Sequence, residues 1–314
     1  MSDPFDKMVS DARTVFEASA SKPLRDAWAS LSLPQIRADL IQRLSVAGIG
    51  EAESDARFLL AHVLAPSSYA DAVADPALFS WQQMSGLADL AWQRLERRPV
   101  SQILGSQPFW TLDLLVTEDV LTPRADTETL VELVLEKCAP GVADLVDLGT
   151  GSGAILLSLL SERSDWSGIG VDLSPAALEI ARQNARRCGL DDRARFVEGS
   201  WGASLAANSV DILVSNPPYI RTDVWRGLEP EVRRFEPRQA LDGGEDGLRD
   251  YRSLLIDAVR VVRPCGLVAV EIGFDQGADV TALFEQAGLD DVGVKRDLAG
   301  HDRVVYGAVA GTNG

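Results

Sequence analysis

The chain has 314 residues, of which 46% are hydrophobic and 25% are charged, and its formal net charge at pH 7 is −17. This is the composition of a globular protein, and the length is sufficient for two domains. The negative charge disfavours a nucleic-acid partner, because binding to phosphates depends on lysine and arginine side chains.

The sequence also gives expectations about location. The segment MSDPFDKMVS at the start lacks the basic stretch and apolar core of a secretory signal. No apolar run approaches the roughly 20 residues of a membrane helix. The three cysteines, Cys138, Cys188 and Cys265, lie far apart and are odd in number, which is typical of reduced thiols. We therefore expect a cytoplasmic protein without a membrane contact or a metal site.

The first hundred residues have helical periodicity and no strand signal. Segments 33–50, 53–65 and 86–100 each carry apolar residues at helical spacing, and glycine or proline lies near the end of the first and the last. We predict an all-helical N-terminal domain over residues 1–102, with a role in docking the substrate.

The pattern then changes twice. Residues 103–124 mix aromatic, β-branched and polar side chains, which predicts a β-hairpin linking two domains. Over residues 125–314, strand-like and helix-like segments alternate, beginning with ADLVDLG (143–149) and AILLSLLSER (154–163). Such alternation is typical of an α/β fold, in which helices cover both faces of a mostly parallel sheet.

A glycine cluster, DLGTGSGA (147–154), lies between a predicted strand and a predicted helix. Glycines at such a turn let the backbone approach a ligand closely, and Asp172 follows at about the distance of a ribose-binding acid. The pattern predicts a nucleoside pocket, with a nicotinamide-dependent dehydrogenase or a turn without a ligand as alternatives. Asp172 could instead cap the next helix, although Ser174 is better placed to do so.

The segment VSNPPYIR (214–221) ends the fourth predicted strand of the sheet. Asn216 offers a side-chain carbonyl, Pro217 a restrained backbone carbonyl and Tyr219 an aromatic face. Two fixed acceptors beside a π-face suit a planar NH2 group, and the aromatic face also suits a sulfonium cation. The alternative is a tight turn with a packed tyrosine.

These motifs together resemble the class I S-adenosylmethionine-dependent methyltransferases, which have a Rossmann-like sheet. Within them, the chain resembles the HemK-like glutamine-amide methyltransferases that act on peptide-chain release factors. The segment LTPRADTE (121–128) is similar to the release-factor branch, whereas the loop NPPY also occurs in amino-methyltransferases of DNA. The other matching segments lie in family order: VDLGTGSGAI, GVDLSPAALEIARQNA, RFEPRQALDGGEDGL and LVAVEIGFDQG.

The resemblance implies transfer of a methyl group from S-adenosylmethionine to a glutamine amide in the Gly-Gly-Gln loop of a release factor. It implies that the following residues bind the cofactor: Gly149, Thr150, Gly151, Ser152, Gly153, Asp172, Trp201 and Asn216. It assigns the target amide to Asn216, Pro217, Pro218 and Tyr219, with Asn216, Pro217 and Tyr219 catalytic. The domain with this activity is expected over residues 125–314, in a monomer. Methylation of a ribosomal protein or of a nucleic-acid base is the alternative function, and a binding module without activity is another.

The sequence departs from the family pattern in three places. Ser200 stands where an acid usually precedes the tryptophan, Ala125 stands where proline is usual, and the first thirty residues have no counterpart. Two further interpretations stay open. Arg124, Asp126 and Glu128 either form a wall of the site or cap and charge the next helix, while Phe109 and Trp110 either line the site or pack the hairpin. We expect residues 221–248 to form a lid over the target peptide.

Overall fold

The computed structural model describes residues 20–311. The contacts among the residues divide the chain into two compact units, with the boundary between Leu104 and Gly105. The hairpin belongs to the second unit. Within residues 20–311, no helix combines the length and the apolarity needed to cross a bilayer.

The first unit is helical, as its periodicity predicts. Its helices are α1 (Lys22–Trp28), α2 (Leu33–Val46), α3 (Ala52–Leu64), α4 (Tyr69–Ala74), α5 (Trp81–Leu95) and α6 (Val100–Leu104). Serines begin three of them with reciprocal capping boxes, at Ser32, Ser68 and Ser80.

Part of the segment 1–30, to which the sequence alone assigned no family counterpart, belongs to this helical core. Trp28 is fully buried, and its indole nitrogen donates to Asp39 Oδ2 at 2.6 Å. Leu24 on the same helix is also buried. Residues 1–19 of the predicted docking domain lie outside the described residues.

The second unit contains a hairpin and a seven-stranded sheet. The hairpin pairs β1 (Ser106–Phe109) with β2 (Leu112–Leu115) in antiparallel register. The sheet has the order β5-β4-β3-β6-β7-β9-β8. Its strands are β3 (Ala143–Leu148), β4 (Trp166–Asp172), β5 (Ala194–Glu198), β6 (Val210–Ser215), β7 (Val262–Glu271), β8 (Leu289–Arg296) and β9 (Asp302–Val309). The helices are α7 (Glu128–Lys137), α8 (Ala154–Glu162), α9 (Pro175–Cys188), α10 (Thr222–Trp225), α11 (Pro230–Phe235), α12 (Arg249–Val261) and α13 (Gly277–Gln286).

The sheet is parallel from β5 to β7, whereas β9 is antiparallel to both of its neighbours. Helices cover both faces of the sheet. Successive side chains of one strand point to opposite faces, and they pack in two different cores. On β3, Leu145 belongs to a core with α7 and α8, while Val146 belongs to one with α12 and α13. The predicted α/β class is confirmed. Strand β8 was missed, since its polar residues and Gly293 give no strand signal.

The chain order places one crevice in this sheet. From β3 the chain proceeds outward through β4 and β5, then returns to β6 on the other side of β3. Parallel sheets bind ligands where the strand order reverses in this way, at the carboxyl ends of the strands. The glycine cluster follows β3 and the NPPY loop follows β6, so both motifs lie at this crevice.

Asn184 on α9 joins the hairpin to the glycine cluster. This fully buried amide accepts from Leu115 N at 2.7 Å and donates to Leu115 O at 3.0 Å and to Ser152 O at 2.9 Å. All three of these hydrogen bonds are with backbone groups.

Asn184→Ala should therefore lower the free energy of unfolding of this unit by about 3 kcal/mol, because three backbone groups lose their buried partner. Urea denaturation followed by tryptophan fluorescence measures the change. Arg186→Ala, on the exposed side of the same helix, is the control and should change stability by less than about 0.5 kcal/mol. Equal stability of the two variants would show that the hydrogen bonds of Asn184 to Leu115 and Ser152 do not stabilise the unit.

Candidate active site

The turn after β3 is left-handed at three positions. Gly149, Gly151 and Gly153 have φ angles of 73°, 54° and 83°. A residue with a side chain would be strained in this conformation. The intervening Thr150 is buried, and its hydroxyl donates to Asp147 Oδ2 at 2.7 Å. Alternating glycines therefore leave bare backbone on the ligand side of the turn.

Asp172 ends β4 and holds this turn. Its Oδ2 accepts from Gly151 N at 2.9 Å, and its Oδ1 accepts from Ser174 N at 2.9 Å. Ser174 caps α9 as expected, because its hydroxyl accepts from Ala177 N at 3.2 Å. A carboxylate has about four acceptor positions, so Asp172 can still accept hydrogen bonds from a ligand.

Asp147 lies beneath the turn with no exposed surface. Burial raises the pKa of its carboxyl to about 7, against the opposing effect of the Thr150 hydrogen bond. The folded protein thus keeps a proton on Asp147 at pH values where the unfolded chain releases it.

The NPPY loop after β6 turns its two polar side chains in different directions. Asn216 lines the crevice, and its Nδ2 donates to Thr127 Oγ1 at 3.3 Å. Tyr219 points inward and donates to Glu271 Oε1 at 3.2 Å. Burial and the neighbouring Glu271 raise the pKa of Tyr219, so the phenol is neutral at physiological pH.

The following segment cradles this loop closely. A Cβ added to Gly243 would lie 2.5 Å from the carbonyl oxygen of Pro218, and one added to Gly247 would lie 2.5 Å from that of Tyr219. Gln276 Nε2 donates to both Tyr219 O at 3.1 Å and Gly247 O at 3.2 Å. Only glycine fits at these two positions.

Residues 221–248 are folded rather than extended into solvent. They contain α10 and α11, and Glu236 after α11 is buried. One guanidinium nitrogen of Arg124 binds both oxygens of Glu236, at 2.8 and 2.7 Å. This pair joins the segment to residues 123–128, the PRADTE motif.

The other polar residues of that motif also bind distant elements. Asp126 pairs with Arg303 on β9 at 3.1 Å, and Glu128 accepts from Trp110 N at 2.7 Å. The Trp110 indole donates to Glu162 at 2.7 Å, and Phe109 is buried in the core. The motif therefore links the hairpin and β9 through side-chain contacts. Phe109 and Trp110 pack the hairpin against the core of the second unit.

These elements enclose a cavity of about 320 Å³. Among the predicted site residues, those that line it are Gly149, Thr150, Gly151, Ser152, Asp172, Trp201, Asn216 and Pro218. Gly153, Pro217 and Tyr219 are not among its lining residues. Arg124 and Thr127 line it from the PRADTE motif, while Pro237, Gln239 and Ala240 line it from the segment after α11.

The cavity suits a nucleoside with a cationic sulfur. Its volume lies within the usual range for ligand sites, about 300–1,000 Å³. The Trp201 ring lies 3.7 Å from where a Cβ of Gly149 would be, so bare backbone and an aromatic face border the same space. Asp172 lines the same space with free acceptor positions of the kind that ribose hydroxyls require. These residues fit S-adenosylmethionine.

Comparison with known proteins gives the same result. A family model described as a methyltransferase domain matches residues 143–271, and one described as a PrmC N-terminal domain matches residues 35–105. The release factor glutamine methyltransferase of Caulobacter vibrioides is 47% identical over 267 residues, which cover 84% of this chain and 92% of the relative. Those of Rhodospirillum rubrum and Agrobacterium fabrum are 46% and 44% identical, covering 83% and 86% of this chain and 80% and 96% of the relatives. The chain belongs to the release factor glutamine methyltransferase family.

The family predicted from the motifs is thereby confirmed. For this methyltransferase, the sequence alone assigned no role to Thr127 or Glu271. In the structure, Thr127 accepts a hydrogen bond from Asn216, and Glu271 accepts one from Tyr219. A signal for Glu271 exists in the sequence: it is a carboxylate at the end of the apolar run LVAVEI, where no charge is expected without a partner.

Asp172→Asn should weaken S-adenosylmethionine binding at least tenfold, because the charged acceptor for the ribose hydroxyls is lost. Isothermal titration calorimetry measures the affinity. Glu198→Gln is the matched control, since Glu198 pairs with Asp172 at the end of the adjacent strand but does not line the cavity. Equal affinity of the two variants would remove Asp172 from the binding site.

Asp147→Asn should reduce the loss of stability that accompanies rising pH. Because the folded protein holds the Asp147 proton up to about pH 7, unfolding releases it, and stability falls as pH rises from about 4 to 7. Each such pH unit costs about 1.4 kcal/mol per proton. Urea unfolding at pH 5 and pH 8 should show a smaller difference for the variant than for the wild type. Parallel curves would show that Asp147 is ionised when folded.

Proposed function

We propose that this protein transfers a methyl group from S-adenosylmethionine to the side-chain amide nitrogen of the glutamine in the Gly-Gly-Gln loop of a peptide-chain release factor. The observation that carries the proposal is the position of Asn216, which lines the same cavity as the glycine turn and Asp172. A group that can hold an amide therefore lies beside a group that can hold a nucleoside.

The chemistry requires positioning more than acid–base catalysis. An amide nitrogen is a poor nucleophile, because its lone pair is delocalised into the carbonyl. The bound cofactor supplies an electrophilic methyl group on a sulfonium. Asn216 and the backbone carbonyl of Pro217 accept hydrogen bonds from the substrate NH2 and place partial negative charge where the nitrogen becomes positive. Holding the reactants in line contributes on the order of 7–11 kcal/mol.

The remaining predicted residues divide into two groups in this proposal. Gly149, Thr150, Gly151, Ser152 and Gly153 shape the turn that receives the cofactor, with Asp172 at its ribose and Trp201 against its adenine. Pro218 and Tyr219 complete the amide site. Tyr219 acts from behind, because its hydroxyl is directed to Glu271 and away from the cavity. It therefore fixes the shape of the loop.

Protein-sized substrates need a surface as well as a cavity. We propose that residues 221–248 form the lid over the peptide, because Pro237, Gln239 and Ala240 already line the cavity. The helical N-terminal domain is proposed to dock the release factor. The reaction is placed in the cytoplasm, where release factors act in translation, and the monomeric state remains a prediction.

Incubation with labelled S-adenosylmethionine and a release factor, followed by mass spectrometry, tests the proposal. The label should map to the glutamine of the Gly-Gly-Gln loop. A release factor without label at this glutamine would refute it.

Asn216→Ala should reduce kcat at least 100-fold, since the acceptor that orients the amide is lost, while the affinity for S-adenosylmethionine changes less than about threefold. Single-turnover kinetics and calorimetry separate the two effects. Gln286→Ala removes an exposed amide at the end of α13 and serves as the control. Normal turnover by the Asn216 variant would exclude its assigned role.

A further inference from the structure

Gln276 comes immediately before α13 and places a buried amide behind the NPPY loop. Its Nε2 donates to two different carbonyl oxygens, that of Tyr219 at 3.1 Å and that of Gly247 at 3.2 Å. Its Oε1 accepts from Gly273 N at 2.9 Å. A flipped amide would set its oxygen against two carbonyl oxygens and its NH2 against an N–H group, so these three partners permit only one orientation.

The NPPY loop has few other means of holding its position. Pro217 and Pro218 have no N–H group, so neither donates a backbone hydrogen bond. In the part of the chain that the structure describes, Gln276 is the one donor to the carbonyl oxygen of Tyr219. Because the hydroxyl of Tyr219 binds Glu271, this residue is held at both of its ends. The rigid ring of Pro218 connects it to the Pro217 carbonyl, which the proposed reaction uses.

The second carbonyl that Gln276 binds belongs to another part of the cavity wall. Arg249 and Asp250, which follow Gly247 closely in the chain, both line the cavity. Pro218 lines it from the NPPY loop. One buried amide therefore fixes two parts of the wall relative to each other.

We propose that Gln276 is a positioning residue for methyl transfer, which fixes the NPPY loop relative to the segment at Gly247 and so places the substrate amide in line with the cofactor. This inference rests on the proposed function, because the amide that is positioned is the glutamine of that reaction. Gln276 does not line the cavity, so it acts through Tyr219 and Gly247. A misplacement of about 1 Å in an active site can reduce a rate about 100-fold. Loss of this amide should therefore lower kcat and leave the cofactor pocket intact.

The first test compares the wild type with Gln276→Met on the same release factor. Methionine is similar in length to glutamine but donates no hydrogen bond. The variant should lose at least about 30-fold in kcat, while the KM for the release factor stays within about threefold. Calorimetry should show the wild-type affinity and number of sites for S-adenosylmethionine, whereas a partly unfolded enzyme would lose sites and activity together. Gln286→Met, at the exposed end of α13, is the control and should keep the wild-type kcat.

A second variant, Gln276→Glu, gives a readout that a purely structural role would not move. When protonated, the introduced carboxyl can donate to one of the two carbonyl oxygens, but when ionised it has no donor and repels both. The kcat of this variant relative to the wild type should therefore fall at least about tenfold from about pH 6 to about pH 9. The same ratio for Gln276→Met should show no such trend.

The ratio to the wild type isolates the introduced carboxyl, since the surrounding groups are common to both proteins. The titratable and charged side chains on the elements around Gln276 are Tyr219, Arg221, Tyr251, Glu271, Asp275 and Asp302.

A Gln276→Met enzyme with wild-type kcat would overturn the inference, as would a loss of activity matched by an equal loss of cofactor sites. A ratio for Gln276→Glu that does not change with pH would do the same. If Gln276→Met fails to fold, the ratio for Gln276→Glu decides, because it compares one variant with itself at different pH values. A wild-type enzyme that leaves the release factor unmethylated refutes the proposed function instead, which is a separate result.

Discussion

The active site depends on one constraint: a loop with two consecutive prolines cannot hold its own shape through backbone hydrogen bonds. Its neighbours must impose the shape. Gln276 binds the carbonyl oxygen of Tyr219, while Gly243 and Gly247 let their chain pass against the loop at distances that exclude any side chain. The segment that carries these glycines is therefore part of the site's framework. The same segment also borders the cavity, so one stretch of chain fixes the loop and limits access to it.

A second constraint is the energetic cost of burying the carboxyl groups that orient the loops of the site. Holding polar groups at fixed positions beneath the crevice requires buried carboxyls, and burial raises the pKa of Asp147, Glu236 and Glu271. Each is stabilised by a different partner: Asp147 by Thr150, Glu236 by Arg124, and Glu271 by Tyr219. A core of apolar residues would avoid this cost, since buried charge is expensive even when paired. The carboxyls are placed where the two loops must be oriented, which indicates that stability is given up for geometry.

The sequence was sufficient for whatever depends on local pattern. Alternating apolar segments predicted the α/β class, and the spacing of Gly149, Gly151 and Asp172 predicted a turn and an acid that the structure brings together. The sequence was insufficient for the orientation of side chains and for contacts between residues that lie far apart in the chain. The inward orientation of Tyr219 follows from its partner on β7, and the contacts of Arg124 and Asp126 follow from α11 and β9, which periodicity cannot place. Strand β8 is a polar edge strand, recognisable only from its pairing with β9.

The topology separates the two tasks of the site. Groups suited to a nucleoside come from β3 and β4, whereas Asn216, Tyr219 and Glu271 come from β6 and β7 on the other side of the reversal in strand order. The two halves are joined by the parallel pairing of β3 with β6, and the Ser215 hydroxyl also donates to Leu148 O at 2.6 Å. Substitutions of loop side chains on the β6–β7 side leave this backbone pairing intact, so they can change which planar NH2 group is held without disturbing the nucleoside side. This explains physically how a similar four-residue loop can serve both glutamine and nucleic-acid bases, since specificity must then come from the residues behind and over the loop, such as Thr127, Glu271 and the segment after α11.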